Sequence, residues 1–252
     1  MLQVVVAPSH DLPSSNTGTV KRLLPFVGIV LSSFRSFETE YGGMVDYVIP
    51  KQFSLDNYVW LFGKDSNFVR WYLNTIIIAL FIAIGQTCMV LMVSYTLSRM
   101  RFKCRELWMR ICLILGMFPG FLTMICLYFL LKTFGLTQEG AVPGLILIGI
   151  ASSGMGYYVC KGFFDTIPKA VDEAAWIDGA TKWQVFTKIT VPLSKPILIY
   201  TVLTSFMAPW LDFIFAKFIM GTNYDNYTVA IGLWTMTQKE YLSTWYGAFT
   251  AG

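Results

Sequence analysis

The side chains able to carry out chemistry are few and do not form a catalytic group. His10 is the only histidine, and no Ser/His/Asp or paired-carboxylate arrangement lies inside an apolar stretch. The five cysteines have no CxxC spacing, which argues against a disulfide framework and a zinc site. The phosphate-binding pattern G-x-x-x-x-G-K-[ST] is also absent. We therefore predict no catalytic residue, no cofactor and no metal site.

Polar residues are instead concentrated in the segment 165–196, which reads DTIPKAVDEAAWIDGATKWQVFTKITVPLSKP. Pro168 is compatible with the first turn of a helix, where its missing N–H costs nothing. Asp172 and Glu173 would then lie near the positive N-terminal end of that helix, which favours carboxylates. Gly179 is expected to end the helix, because glycine readily adopts the left-handed conformation of a C-cap.

A second short helix is predicted directly after this one. Thr181 and Gln184 have the T-x-x-Q spacing of a capping box. The helix would continue through Phe186 and Ile189 and end before Pro192, where the chain turns back. The segment 165–196 is thus predicted to be a polar helical hairpin.

Long apolar stretches flank this hairpin. The chain is 55% hydrophobic and only 13% charged, whereas a soluble domain carries roughly 25% charged residues. A membrane-spanning helix needs about 20 predominantly apolar residues. Four stretches of about this length are predicted spans: Trp71–Leu97, Leu107–Leu131, Val142–Cys160 and Pro196–Met220. The chain is therefore predicted to be an all-α, polytopic membrane protein.

Small residues and proline interrupt the apolar pattern at three places. Pro119 and Gly120 predict a kink in the second of these spans. The residues 152–156 (SSGMG) either permit close packing of two helices or form a locally unwound turn. Near the N-terminus, Leu23–Ser32 is apolar for only half the length of a span.

The basic residues predict the orientation in the membrane. They cluster in the linker 99–110 and in the hairpin, and loops rich in lysine and arginine stay cytoplasmic. Arg101 and Lys182 should therefore lie inside, and Gln138 and Asp225 outside. Because this clustering explains the net charge of +4, we predict no nucleic-acid binding.

The hairpin carries a pattern that resembles a known family. Glu173-Ala174-Ala175 is followed by Gly179 and then by residues 189–192 (ITVP). This spacing resembles the EAA loop of binding-protein-dependent ABC importer permeases, with Val191 where the family usually has leucine. The resemblance implies that the hairpin contacts a separate ATPase through the following residues: Glu173, Ala174, Ala175, Ile177, Gly179, Ala180, Phe186, Ile189 and Pro192.

Two other interpretations of the hairpin are open. It could be a surface hairpin without a partner, or a DNA-binding helix-turn-helix. A DNA reader needs a basic recognition face, whereas Lys182 and Lys188 stand alone between hydrophobic spans. The full spacing with both prolines favours the importer interpretation.

Further residues resemble the sugar-importer branch of that family. They are Lys161–Ala175 (KGFFDTIPKAVDEAA), Trp210–Phe213 (WLDF, with Leu211 for the usual asparagine), Phe213–Met220 and Tyr227–Leu233. The resemblance to maltose and maltodextrin permeases implies a second permease subunit, two ATPase subunits, an extracytoplasmic sugar-binding protein and a sugar substrate. Trp210, Asp212 and Tyr227 are candidate residues of the translocation path, although such aromatic residues also form interfacial belts.

The expected organisation follows from this resemblance. Residues 1–22 match nothing in the family, and 23–252 would form a permease domain with five of an expected six spans. The expected location is the cell membrane of a prokaryote, among lipids. An ion-coupled secondary transporter is the alternative, for which Asp212, near the outer end of the last span, is the sole ionisable candidate at membrane depth.

Overall fold

The computed structural model describes residues 15–35, 53–63, 66–238 and 248–252. Within these ranges the chain is helical, and its extended pairing is a single bridge between Arg35 and Phe53. This confirms the predicted all-α fold class. The chain divides into two compact units, one of residues 1–66 and 233–252 and one of residues 67–232. Residues 1–14 lie outside the described ranges, and the assignment of 1–22 as a segment apart from the permease domain stays a prediction.

In the N-terminal part of the first unit, the described residues include α1 (Ser15–Ser33) and α2 (Asp56–Leu61). Asn57 holds them together, because its buried amide donates hydrogen bonds to the carbonyl oxygens of Ser33 and Arg35 at 3.1 and 2.8 Å. The apolar part of α1, residues 22–33, is shorter than a membrane span. This agrees with the half-length apolar stretch in the sequence.

The second unit is organised around one long helix, α3 (Phe68–Arg99), which is about 48 Å long at 1.5 Å per residue. It packs against α6, α7 and α11. The helices after α3 are α4 (Arg105–Gly116), α5 (Gly120–Thr133), α6 (Ala141–Ala151), α7 (Gly154–Thr166), α8 (Lys169–Ile177), α9 (Lys182–Val185), α10 (Val191–Leu193), α11 (Lys195–Leu211), α12 (Ile214–Met220) and α13 (Val229–Met236).

Two helical stretches of the described chain are long and apolar enough to cross a membrane by themselves, α3 and residues 138–166. The number rises to four if each of two bent pairs forms one span. One pair is α4 and α5, which meet at an angle of 101° before Gly120. Pro119 therefore marks a break between two helices, a larger change of direction than the predicted kink.

The predicted span Pro196–Met220 is also two helices, α11 and α12, separated at Asp212 and Phe213. Pro209 lies inside the last turn of α11 and cannot donate a backbone hydrogen bond there. The carboxylate of Asp212 accepts a hydrogen bond from the N–H of Phe215 at 3.2 Å, which helps to start α12. The backbone of the predicted span is therefore interrupted at Asp212, which is extended between the two helices.

Glycine allows α3 and α6 to approach each other closely. A Cβ atom on Gly149 would lie 2.2 Å from the side chain of Ile82, and one on Gly85 would lie 2.5 Å from Ile150. The helix then unwinds at Ser152 and Ser153, and the amide of Gln86 donates a hydrogen bond to the Ser153 hydroxyl. Residues 152 and 153 are thus unwound, as one of the two interpretations of residues 152–156 predicts, whereas 154–156 begin α7, which packs against α3.

The two ends of α3 contact different sets of residues. At the N-terminal end, Trp71 and Asn74 donate hydrogen bonds to the carbonyl oxygens of Tyr224 and Asp225, each at 2.9 Å. Asn226 in turn donates to the carbonyl oxygen of Gln138 at 2.8 Å. The hairpin packs at the opposite end. Residues predicted to lie outside the membrane are thus separated by the length of α3 from those predicted to lie inside.

This separation gives a test of the orientation. In a variant without the five native cysteines, Gln138→Cys and Asp225→Cys should react with an impermeant thiol reagent in intact cells. Arg101→Cys and Lys182→Cys should react only after the membrane is permeabilised, because the basic segments stay cytoplasmic. The reverse labelling pattern would contradict the orientation.

Candidate functional site

The first helix of the hairpin ends as the sequence predicts. The N–H of Ala180 donates to the carbonyl oxygen of Ala175 at 2.9 Å, and that of Gly179 to Trp176 at 3.1 Å. These two bonds form a Schellman motif, which requires a left-handed residue after the helix. Gly179 has φ +83°. The sharp reversal between α8 and α9 is therefore determined by this glycine.

The second helix of the hairpin begins as predicted and ends later. Thr181 accepts a hydrogen bond from the N–H of Gln184 at 3.3 Å, and the Gln184 side chain accepts one from the Thr181 N–H at 2.8 Å. The chain passes through a π-helical turn, Phe186–Thr190, and stays helical to Leu193. The predicted end before Pro192 was wrong, because the π-helical turn runs directly into α10, which carries Pro192 at its start. The second of the two bent pairs lies here, because the helical run 182–193 and α11 meet at Ser194 at an angle of 82°.

The nine residues predicted to contact an ATPase differ in their exposure. Five are exposed: Glu173, Ala174, Ile177, Gly179 and Pro192. Ile177 is the most prominent, with 86% of its surface accessible. Ala180 and Ile189 are partly exposed, whereas Ala175 and Phe186 are buried. Ala175 faces inward within the chain, and its expected contact with an ATPase stays a prediction.

Phe186 has a structural position in the hairpin. Its ring centroid lies 4.9 Å from that of Tyr95 on α3, and both side chains belong to a buried cluster with Phe164 and Ile197. This cluster joins the hairpin to α3, α7 and α11. The hairpin is thus packed against the helical bundle through buried side chains.

An ion pair at the end of α3 fixes the first helix of the hairpin. The Nε of Arg99 lies 3.1 Å from a carboxylate oxygen of Asp172 on α8, and both side chains are only 3% exposed. The Nη2 of Arg99 also donates hydrogen bonds to the carbonyl oxygens of Phe164 and Ile167, at 3.0 and 2.8 Å. One guanidinium therefore connects α3, the end of α7 and α8.

The sequence alone does not predict this connection. It indicates a topology role for Arg99 and a charge at a helix end for Asp172, and Asp172 does lie in the first turn of α8. Neither feature indicates that the two side chains meet. The position of Arg99, directly at the end of a long apolar helix, is the one available indication of a buried partner.

A cavity of about 750 Å³ lies among α3, α5, α6, α11 and α12. Its walls are mainly apolar, with polar groups contributed by Gln86, Thr123, Ser152, Asp212 and Thr228. The Thr228 hydroxyl is buried and has no hydrogen-bond partner among the described residues. A second cavity of about 270 Å³ shares Gln86 and Ser152 and continues along hydroxyl groups of α11.

The three residues predicted for a translocation path have different positions. Asp212 lines the larger cavity, which extends to Gln86 near the middle of α3, deeper than the outer end of a span. Trp210 packs edge-on against Tyr72 with ring centroids 5.5 Å apart and does not line that cavity. Tyr227 is 1% exposed and donates a hydrogen bond to the Gly221 carbonyl oxygen, so its position is structural.

Residues 90–251 match the family of the binding-protein-dependent transport system inner membrane component. The chain is 35% identical over 207 residues to the galactooligosaccharides transport system permease protein GanQ of Bacillus subtilis (strain 168). That match covers 81% of this chain and 72% of GanQ.

Two further relatives have similar coverage. The maltodextrin transport system permease protein MdxG of Bacillus subtilis (strain 168) is 32% identical, over 84% of this chain and 74% of MdxG. The maltose/maltodextrin transport system permease protein MalG of Escherichia coli (strain K12) is 30% identical, over 84% of this chain and 75% of MalG.

The fold is similar to a chain in the crystal structure of a bacterial ABC transporter involved in the import of the acidic polysaccharide alginate. The TM-score is 0.76 and the sequence identity 21%, with 97% of this chain and 92% of the other covered. At this identity the likeness concerns the fold.

Proposed function

The chain belongs to the family of binding-protein-dependent transport system inner membrane components, and from this premise we propose which solute it moves and how it is driven. It is a membrane-embedded transport subunit of the ABC permease class and not an enzyme. We propose that it imports an oligosaccharide in a prokaryotic cell membrane, and that ATP hydrolysis on separate partner subunits drives the import.

The hairpin 165–196 carries the proposal for energy coupling. On its outer side the hairpin exposes an apolar residue, Ile177, at the end of α8. On its inner side it is attached to the helical bundle through the contacts of Arg99 and Phe186. An element that is to transmit force needs both an outer contact and a rigid attachment. Closure of the ATPase dimer would push α8, and the helices around α3 would follow as a rigid body to alternate the access of the cavity.

The substrate class is inferred from the cavity and the relatives. Pockets for small molecules are mostly apolar with a few polar groups and enclose about 300–1,000 Å³, and the larger cavity has this character. Hydroxyl, amide and carboxylate groups of Thr228, Gln86 and Asp212 can pair with sugar hydroxyls. Because GanQ, MdxG and MalG are named for oligosaccharide systems, we favour a maltodextrin-like or galactooligosaccharide-like substrate.

The partners follow from the same reasoning. We propose a second permease subunit that completes the cavity, two ATP-binding cassette subunits that receive the hairpin, and an extracytoplasmic binding protein that delivers the sugar. On α4 all described side chains are at least partly exposed, and on α5 Leu131 is the buried one. Such exposed helices suit contact with lipid or with the second permease, and α5 also forms part of the wall of the larger cavity.

Uptake of radiolabelled maltodextrin or galactooligosaccharide into reconstituted vesicles tests this function. Uptake should require ATP and the binding protein, and it should persist when proton and sodium gradients are collapsed. The cavity position of Asp212 makes this comparison informative, since ion-coupled transporters carry ionisable groups at membrane depth. We expect Asp212→Asn to keep ATP-driven uptake within about threefold, because the amide oxygen of asparagine can still accept the hydrogen bond from the N–H of Phe215.

One result would contradict ATP-driven import. Uptake driven by an ion gradient without ATP, and abolished by Asp212→Asn, would favour the secondary transporter. Thr123→Val, which removes another polar group from the same cavity, controls for a general effect of cavity polarity.

A further inference from the structure

A pocket of about 360 Å³ lies between the C-terminal end of α3, the linker after it and the hairpin. Five basic and two acidic residues line it: Arg99, Arg101, Arg105, Lys169 and Lys182, with Asp172 and Glu173. This space, called here the basic pocket, is separate from the two cavities described above. It shares no lining residue with them.

Most of the positive charge in the basic pocket is unpaired. Arg99 is matched by Asp172. Within the part of the chain that the structure describes, Arg101, Lys169 and Lys182 make no salt bridge. With five basic side chains against two acidic ones, the pocket attracts anions. A single exposed charge is solvated by water. Three unpaired cations around one concave space raise the local positive potential, which attracts a negative group.

Two further features of the pocket supply hydrogen-bond donors. The Nη1 of Arg99 is buried and has no hydrogen-bond partner among the described residues, although Arg99 lines the pocket. The nine-residue helix α8 begins at Lys169, also at the pocket, without a side-chain cap for its first amides. Free amides at a helix N-terminus favour a phosphate, and so do arginine and lysine side chains.

We propose that the basic pocket binds a phosphate group. Phosphate offers several acceptor oxygens and a negative charge that the unpaired cations and the α8 amides match. Basic pockets at the cytoplasmic ends of transmembrane helices suit the headgroups of anionic lipids. Exposed apolar side chains follow in the linker, Phe102, Leu107 and Trp108. They could accommodate acyl chains, so a phospholipid fits better than a soluble phosphate compound.

The consequence concerns the hairpin. A phosphate bridging Arg101 of the linker and Lys169 of α8 would add a second connection beside the ion pair of Arg99. The supply of anionic lipid would then modulate how firmly α8 is held. This inference rests on the proposed cytoplasmic orientation of the hairpin.

Native mass spectrometry of the purified transporter, released from detergent, tests the site. The parent should retain phosphatidylglycerol in preference to phosphatidylcholine. The double variant Lys169→Gln/Lys182→Gln should retain at least about tenfold less phosphatidylglycerol, because each lysine near an anionic surface contributes favourably and the effects add. Lys103→Gln/Lys188→Gln is the matched control, since both lysines are exposed and neither lines the pocket.

Inorganic phosphate, titrated by calorimetry against the delipidated transporter, distinguishes the sources. Binding of inorganic phosphate that disappears in Lys169→Gln/Lys182→Gln supports a site for a soluble phosphate compound. Selective retention of phosphatidylglycerol supports the lipid. Equal retention of both lipids together with no phosphate binding, or equal effects of the two double variants, overturns the proposal. None of these measurements requires transport, so a failure of the proposed import function would leave the result for the pocket unchanged.

Discussion

Replacing Arg99 with leucine is expected to abolish ATP-driven uptake and to lower the free energy of unfolding by about 3–5 kcal/mol. The change leaves Asp172 as an uncompensated charge at 3% exposure. It also removes the hydrogen bonds to the carbonyl oxygens of Phe164 and Ile167. The measurements are thermal unfolding of the purified subunit in detergent and uptake in vesicles.

The control is Arg110→Leu, which breaks an exposed pair. Arg110 lies 3.8 Å from Glu106, and the two side chains are 76% and 87% exposed. Exposed ion pairs of this kind contribute little to the free energy of unfolding, about 0.5 kcal/mol or less. If Arg99→Leu lowers the free energy of unfolding and the uptake no more than Arg110→Leu does, the ion pair does not hold α8 against α3. The double variant Arg99→Leu/Asp172→Leu should recover part of the stability, since apolar residues often replace a buried pair without loss.

The local features of the hairpin could be predicted because their causes lie within a few residues. A Schellman motif needs a left-handed residue, so Gly179 was sufficient to place the end of α8. A capping box needs Thr181 and Gln184 three residues apart, and both reciprocal hydrogen bonds are present. The membrane class was likewise evident from composition, because charge-free apolar stretches of about 20 residues have the length that a helix needs to cross a bilayer.

The remaining features depend on residues that are distant in the sequence. The pairing of Arg99 with Asp172 is determined by how α7 returns the chain to the end of α3. Burial of Ala175 and Phe186 depends on which face of the hairpin meets the bundle, and a family pattern does not distinguish contact residues from supporting ones. At Pro119, the sequence indicated a change of direction, whereas its size of 101° depends on packing.

Replacing Ile177 with aspartate is expected to reduce co-purification of the ATPase at least tenfold and to stop ATP-driven uptake, while the subunit still inserts and folds. Ile177 is 86% exposed at the end of α8. Burial of an isoleucine against a partner contributes about 1.5–3 kcal/mol, and each 1.4 kcal/mol corresponds to a factor of ten in affinity. A carboxylate at a dry interface adds a desolvation cost. Within the chain little packing is lost, so stability should change by less than about 0.5 kcal/mol.

Three further variants separate this contact from the shape of the hairpin. Ile177→Met preserves an apolar side chain of similar volume and should keep the ATPase bound, because such exchanges cost little. Gly179→Leu leaves Ile177 intact and has open space around the new Cβ atom, but φ +83° makes the backbone strained by about 1–2 kcal/mol. Gly179→Asn, which tolerates this conformation, should retain more coupling than Gly179→Leu. If Ile177→Asp and Gly179→Leu both transport at the parental rate with the ATPase attached, the hairpin is not the element through which ATP hydrolysis drives this subunit.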